Sequence, residues 1–371
     1  MSYYVLPKIN NNIIINPTIN LDENDIYTSF SLFTFYNKNK EQIKNLIKTE
    51  ESINIFKDLL TIINPYEYIF SKVPGFKHSI SKLNTKTNIF YELLEIINSL
   101  NIFVSFSNKK LTCLHISENY LDSNHCINFC RNSQNNEHTN FEDINEEIYN
   151  TINDKRYEFI FYEIKIINFE NLNSYILNIS QVLMIILKYQ LNNGVCLIKI
   201  NHTFYKPIID IIYILSSIYE KVYIIKPNTN DITTFDKYIV CKNFIIDDVK
   251  KDIYKKYYFE LAKFINAYLQ NNNNNNNINS NSNILSILNH EIPTYFINKI
   301  NDVNIIIGQQ QLEATDQIIN IFKNKSKNDK IESIKNNNIQ KAIMWCEKNK
   351  IPYNNISEKV NIFLPLKKEI V

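Results

Sequence analysis

At 371 residues the chain is long enough for one large α/β domain with appendages or for two domains, and either would bury a sizeable core. Its 40 Lys+Arg against 38 Asp+Glu leave a formal charge of +2, which excludes a global field drawing it to nucleic acid and confines any basic surface to local patches. Asn, Lys and Tyr break every Ile-rich run short of about 18 apolar residues, which excludes a helical membrane span. The six scattered cysteines, with no signal peptide ahead of them, predict a soluble protein of a reducing compartment.

Residues 1–40 carry short apolar runs (YYVLPKI, NIIINPTI) and predict an extended arm laid over a core. From Glu41 to about Phe70, apolar residues recur at three- and four-residue spacing, as on helices with one buried face. KTNIFYELLEIINSL, 86–100, repeats that pattern, and KLTCLHI, 110–116, reads as a short buried strand. After a polar patch at 131–155 come a strand (YEFIFYEIKI, 157–166), a helix (174–191), a strand (NNGVCLIKI, 192–200) and a helix (KPIIDIIYILSSIYE, 206–220). The strand pair VYIIKP and KYIVCKNF closes the series. Strands alternating with helices predict an α/β fold, a mostly parallel, mixed sheet with helices on both faces and an antiparallel edge. Beyond Lys250 the pattern is helical again, interrupted by an Asn tract read as a linker. The domains expected are an N-terminal arm and helical module, 1–70, an α/β domain, 71–250, and a C-terminal helical extension, 251–371, with an Asn-rich linker at 271–283.

Only three glycines occur, Gly75, Gly194 and Gly308. Backbones that wrap phosphates or nucleotides need glycine, because only a residue without Cβ lets the chain approach so closely.

The segment NNGVCLIKINHTFYKPIIDIIYILSSIYEKVYIIKPNTNDITTFDKYIVCKNF, 192–244, resembles the FtsJ-like family of S-adenosylmethionine-dependent RNA ribose 2′-O-methyltransferases, especially the versions in giant DNA viruses. The matching features are the glycine turn at Gly194, the strand lysine Lys199, the helix and strand from Ile211 to Tyr223, Lys226-Pro227, and Lys237 to Phe244. Weaker similarity runs back through VPGFKHSISKL and FYELLEI, so the resemblance covers roughly 70–245. GQQQLEATDQII, 308–319, is similar to a segment of the same viral relatives and carries no evident chemistry. The resemblance implies a Rossmann-like methyltransferase fold with a Lys-Asp-Lys-Glu catalytic tetrad. Its positions fall here on Glu92, Glu163, Lys199 and Asp236, with only Lys199 unchanged. A catalytic lysine must be neutral near pH 7, which burial and a neighbouring cation promote. Glu92 in place of that cation should raise the Lys199 pKa, by a pairing with Lys199, and so spoil the base. Asp for Glu and Glu for Asp shift the other carboxylates by a methylene, against the alignment the reaction needs.

The implied cofactor loop follows the first core strand. Its equivalents here are Ser117, Glu118, Asn119 and Tyr120, and an ungapped alignment puts Asn119, Tyr120, Leu121 and Asp122 where the family has a glycine-rich turn. Four side chains thus occupy a turn that needs nearly none, and Tyr120 and Leu121 filling the cofactor pocket would favour degeneration. The loop's Ser-Arg becomes Asn230-Asp231 and the serine before the last glutamate becomes Phe235, so a phosphate contact is lost. His125, Cys126, Cys130 and His138 lie close enough in sequence to raise a metal site. Their spacing matches no established pattern, and buried thiols with surface histidines are the expectation, with no metal. Tyr257 and Tyr258 are read as core rather than base-stacking residues.

The resemblance therefore implies a catalytically degenerate methyltransferase fold that binds no cofactor. It would act as an RNA-binding or scaffolding subunit beside viral capping or transcription proteins, in the host cytoplasm, its viral factories, or the virion. Two alternatives stand beside it: an active RNA 2′-O-methyltransferase using S-adenosylmethionine, and a structural virion protein.

Overall fold

β-Branched residues fit a pleated surface covered on both sides, and the isoleucine-rich runs of this chain accordingly form the inner strands of a sheet. The computed structural model describes residues 2–10, 13–72, 78–107, 109–132, 136–153, 155–165, 171–274, 282–323 and 328–354. Two compact units divide the chain: 1–46 with 87–316, and 47–86 with 317–371.

The first unit is an α/β structure around a seven-stranded mixed sheet compatible with a Rossmann-like fold. In spatial order the strands are β1 (Ser2–Val5), β7 (Tyr219–Lys226), β8 (Lys237–Phe244), β6 (Gln190–Ile200), β5 (Tyr157–Glu163), β3 (Leu111–Ile116) and β4 (Asn136–Phe141). β4, β3, β5 and β6 run parallel, while β8 lies antiparallel between β6 and β7. Alternation along the strands assigns the faces. Ile116, Ile160, Tyr162, Ile198 and Ile224 join the core beneath helices α6 (Leu172–Tyr189) and α7 (Lys206–Ile218). The opposite face carries α3 (Ile89–Leu100) and α4 (Tyr120–Cys130), reached by Tyr238 and His115.

Local chemistry sets these elements. Asn171 caps α6 by accepting the Ser174 N–H at 3.2 Å, and Pro207 opens α7, where a missing N–H costs nothing. Gly194 is required by close approach: a Cβ there would lie 2.3 Å from the Gln190 side chain and 2.8 Å from the Leu191 carbonyl. α7 is buried on most of its circumference, as its isoleucines and leucine predict, yet it carries Asp210 in its interior. Asp210 is fully buried. It accepts the backbone N–H groups of Ile287 at 2.8 Å and Leu288 at 3.1 Å and pairs with Lys206 at 3.0 Å. Ile287 and Leu288 belong to β9 (Asn283–Leu288), which pairs antiparallel with β2 (Ile15–Asn20).

Several boundaries differ from those read in the sequence. The arm supplies β1 and β2 to the first unit, which also holds α1 (Phe30–Leu46). The polar patch at 131–155 contains β4 and α5 (Glu146–Thr151), whose polarity masked them at the sheet edge. Most of the expected C-terminal extension belongs to the first unit as well: α8 (Asp248–Asn274) packs on α6, and α9 (Thr294–Lys323) lies within it as far as Asp316. The expected linker is helical in its first four residues and its last is the start of β9; 275–281 lie outside the described residues, as does all of VPGFK, 73–77. Gly308, in the GQQQLEATDQII segment, lies on α9 where Leu32 leaves no room for a Cβ. The second unit packs α2 (Glu50–Ile63) with α10 (Asn328–Lys348). Asn338 donates to the carbonyls of Ile62 and Ile63, closing the C-terminus of α2. No helix among the described residues is long and apolar enough to cross a membrane.

Asp210→Ala leaves two backbone donors buried without an acceptor. We expect a loss of about 3 kcal/mol, read as a lower urea midpoint at unchanged slope; a loss under about 0.5 kcal/mol would contradict this role.

Candidate functional site

Glu92 and Glu95 sit three residues apart on α3 and therefore share a face. Both are buried and both grip the 227–236 connection between β7 and β8. Glu95 accepts the backbone N–H groups of Asn228 at 2.9 Å and Thr229 at 3.4 Å. Glu92 accepts from Asn88 Nδ2 at 2.9 Å, Asn230 Nδ2 at 2.8 Å and the Tyr238 hydroxyl.

Lys199 lies near the end of β6, in register with Glu163 of β5 on one side and Tyr238 of β8 on the other. Paired positions in register share a sheet face, so all three side chains point towards α3. Lys199 Nζ is 3.0 Å from Glu92 and 3.3 Å from Glu163, with only 12% of its side chain exposed. Burial by itself would lower the pKa of this lysine. Glu92, Glu163 and Asp236 outweigh it and hold the pKa well above the ordinary lysine value. Lys199 is thus an ammonium at physiological pH, whereas a general base must first be neutral.

The four tetrad-equivalent residues, Glu92, Glu163, Lys199 and Asp236, are brought together, and the expected Glu92–Lys199 pair is present. Asp236 accepts from Asn201 Nδ2 at 2.7 Å and adds to the field on Lys199. Two further lysines escaped the sequence reading. Lys226 Nζ donates to Asn230 Oδ1 and the Thr234 carbonyl, each at 2.8 Å, and to the Asp236 carbonyl at 3.0 Å. Burial pulls its pKa down to about 8, against the opposing pull of Asp236, Asp231 and Glu92. Lys237 Nζ donates to the carbonyls of Asn201 at 2.6 Å and Phe235 at 3.2 Å, and burial with Lys226 nearby pulls it down to about 7. Both lysines sit in the quoted KP and DKY sequences, where their burial was the missing signal. Asn230 and Phe235 are engaged as well: Asn230 bridges Glu92 and Lys226, and Phe235 packs edge-on against Tyr36 and Phe204.

The cofactor-loop equivalents form the turn after β3. Ser117 Oγ donates to Glu163 at 2.6 Å and accepts the Asn119 N–H at 2.9 Å, while Asn119 Nδ2 donates to the same Glu163 oxygen at 3.0 Å. Glu118 pairs with Lys165 at 3.2 Å. The turn is thereby tied to the ion-pair cluster. Tyr120 starts α4, and Leu121 is 51% exposed. Asp122 turns inward and accepts the N–H and hydroxyl of Thr87, both at 2.6 Å.

His125, Cys126, Cys130 and His138 do not converge. His125 is exposed and packs on Phe90, the free thiols of Cys126 and Cys130 share a hydrogen bond, and His138 contacts His115 across the sheet edge. Tyr257 is core, as expected. Tyr258 is half-buried, packs against the core and also lines a cleft of about 600 Å³ with Arg156, Lys188, Lys251, Lys255 and Phe259.

Comparison with known proteins finds no matching family model and no matching curated protein.

Removing Lys199 strands Glu92 without its cation. Lys199→Met should cost about 3–5 kcal/mol at neutral pH, and adding Glu92→Gln should restore about 1–3 kcal/mol of that. With a folded pKa above the unfolded one, the Lys199 contribution is complete below the unfolded value of about 10.4 and fades as pH rises through the folded value. The wild-type advantage should therefore be level from about pH 7 to 9 and shrink only in alkali; strictly additive single and double substitutions would contradict the pairing.

Proposed function

We propose that this chain is an FtsJ-like methyltransferase-fold protein of giant-virus type that no longer transfers methyl groups. It serves as an RNA-binding or scaffolding subunit in viral mRNA capping or transcription. The observation that carries the non-catalytic reading is the clamped Lys199. Its ammonium is held by Glu92 and Glu163, and the turn that would face a cofactor spends Ser117 and Asn119 on Glu163. A lysine so held has no lone pair to take a proton from a ribose hydroxyl. In support of the fold assignment, the stretch carrying the resemblance forms two core strands with an antiparallel partner between them.

The cleft beside α8 favours RNA as a ligand. Arg156, Lys188, Lys251 and Lys255 surround it together with Tyr254, Tyr258 and Phe259, pairing cations for phosphates with rings for bases. Lys251 and Lys255 each have an aspartate three residues earlier, at 2.8 and 3.2 Å, so Arg156 and Lys188 are the cations least neutralised by acids.

S-adenosylmethionine should leave the melting temperature unchanged, whereas a ligand at 100 times its dissociation constant would add about 2.7 kcal/mol. A clear upward shift would instead support the active-methyltransferase reading. Single-stranded RNA should bind with log affinity falling as log salt rises. Arg156→Ala with Lys188→Ala should flatten that slope by about 1.4 for two lost phosphate contacts. Absence of salt-dependent binding would leave protein scaffolding or a virion role.

A further inference from the structure

We propose that Cys113, His115 and His138 form a zinc-binding site under α4 at the edge of the sheet. β3 and β4 pair in parallel with Cys113 opposite His138, and alternation brings His115, two residues on, to the same face. The three donor atoms lie within 4.8 Å of one another, with His115 Nε2 and His138 Nδ1 3.1 Å apart. A tetrahedral zinc ion with bonds of about 2.0–2.3 Å needs donors roughly 3.3–3.8 Å apart, so closure requires shifts of about 1 Å or less.

Hydrogen bonding around the rings decides where the lone pairs point. Arg131 Nε donates to Asn136 Oδ1 at 2.8 Å, which turns Asn136 Nδ2 towards Asn128 Oδ1, also at 2.8 Å. Asn128 Oδ1 can only accept, so His138 carries its proton on Nε2 and donates to it at 3.1 Å. His138 Nδ1 therefore presents a lone pair towards His115. Ser123 Oγ lies 2.7 Å from His115 Nδ1 and 3.0 Å from the Tyr120 carbonyl, and its single proton can serve either. Directed at His115, it leaves His115 Nε2–H donating to His138, a closed chain without an ion. Directed at Tyr120, it lets His115 Nδ1–H donate to Ser123 and frees Nε2, so both rings and Cys113 Sγ face one point.

Outer partners of this kind orient metal-binding histidines. On zinc entry the His115 proton changes from Nε2 to Nδ1, and the Cys113 thiol gives one proton to solvent as the thiolate forms. Two imidazoles and one thiolate suit zinc and leave a fourth position for water, and the half-buried His138 provides the side of entry. The ion would staple the edge strand β4 to β3.

Metal-free full-length protein titrated with Zn²⁺ at neutral pH should bind one ion per chain and release one proton with it. Co²⁺ should give a thiolate-to-metal charge-transfer absorption that Cys113→Ser abolishes and Cys346→Ser, in the other unit, leaves intact. Asn128→Ala removes no ligand but takes away the acceptor that holds His138, lies at a half-buried position, and should weaken zinc binding about 10–100-fold, which keeps the test open should Cys113→Ser not fold. Failure to bind zinc, Co²⁺ absorption that survives Cys113→Ser, or unchanged affinity in Asn128→Ala would each overturn the site.

Discussion

Opposite charges placed where water barely reaches must satisfy one another, because an isolated buried ion costs several kcal/mol and breaking one partner of a pair exposes that cost. The Lys199–Glu92 pair imposes this condition on the first unit's sheet and the helix above it. Glu92 arrives on α3, Lys199 on β6, Glu163 on β5 and Tyr238 on β8, while Asn230 completes the shell from the connection between β7 and β8. Shifting any one of these elements would leave a buried donor or acceptor unmatched. The network therefore fixes the position of α3 over the carboxyl ends of β5 and β6, which is where open α/β sheets place their ligands.

Three lysines near one another meet different fates because carboxylates are unevenly supplied. Lys199 has two in contact and stays charged; Lys226 and Lys237 are answered mostly by carbonyl oxygens, and their ammonium forms are weakened. Their donors instead shape the connection, through the carbonyls of residues 201 and 234–236. Glu92 on α3 and Asn230 in the loop, far apart along the sequence, are bonded to each other in space. The cluster is built around an ion pair, with Glu92, Asn230 and Tyr238 partnered, which is the arrangement expected of a structural core.

The sheet's central strands were legible because burial on both faces leaves continuous Ile, Val, Tyr and Phe runs, and β8 matches KYIVCKNF residue for residue. β4 was not, since NEHTNF at the edge carries no apolar run, and β9 was hidden behind the Asn tract. Glu92, Glu163, Lys199 and Asp236 could be gathered from the resemblance, and the sign of the Lys199 shift followed from charge alone. The roles of Lys226, Lys237 and Asn230 could not, because a lysine in a sequence gives no sign of whether its ammonium meets water, a carboxylate or a carbonyl. The His115–His138 contact was likewise out of reach until β4 had been found.

The charge state of Lys199 decides whether this cluster is a core or a catalyst. Its side-chain Nζ can be followed by NMR in protein carrying ¹⁵N-labelled lysine, assigned by Lys199→Arg, while pH is raised. The account predicts that Lys199 remains an ammonium beyond about pH 10.4, where an ordinary lysine is half titrated. Titration near neutrality, the behaviour of a poised base, would contradict it.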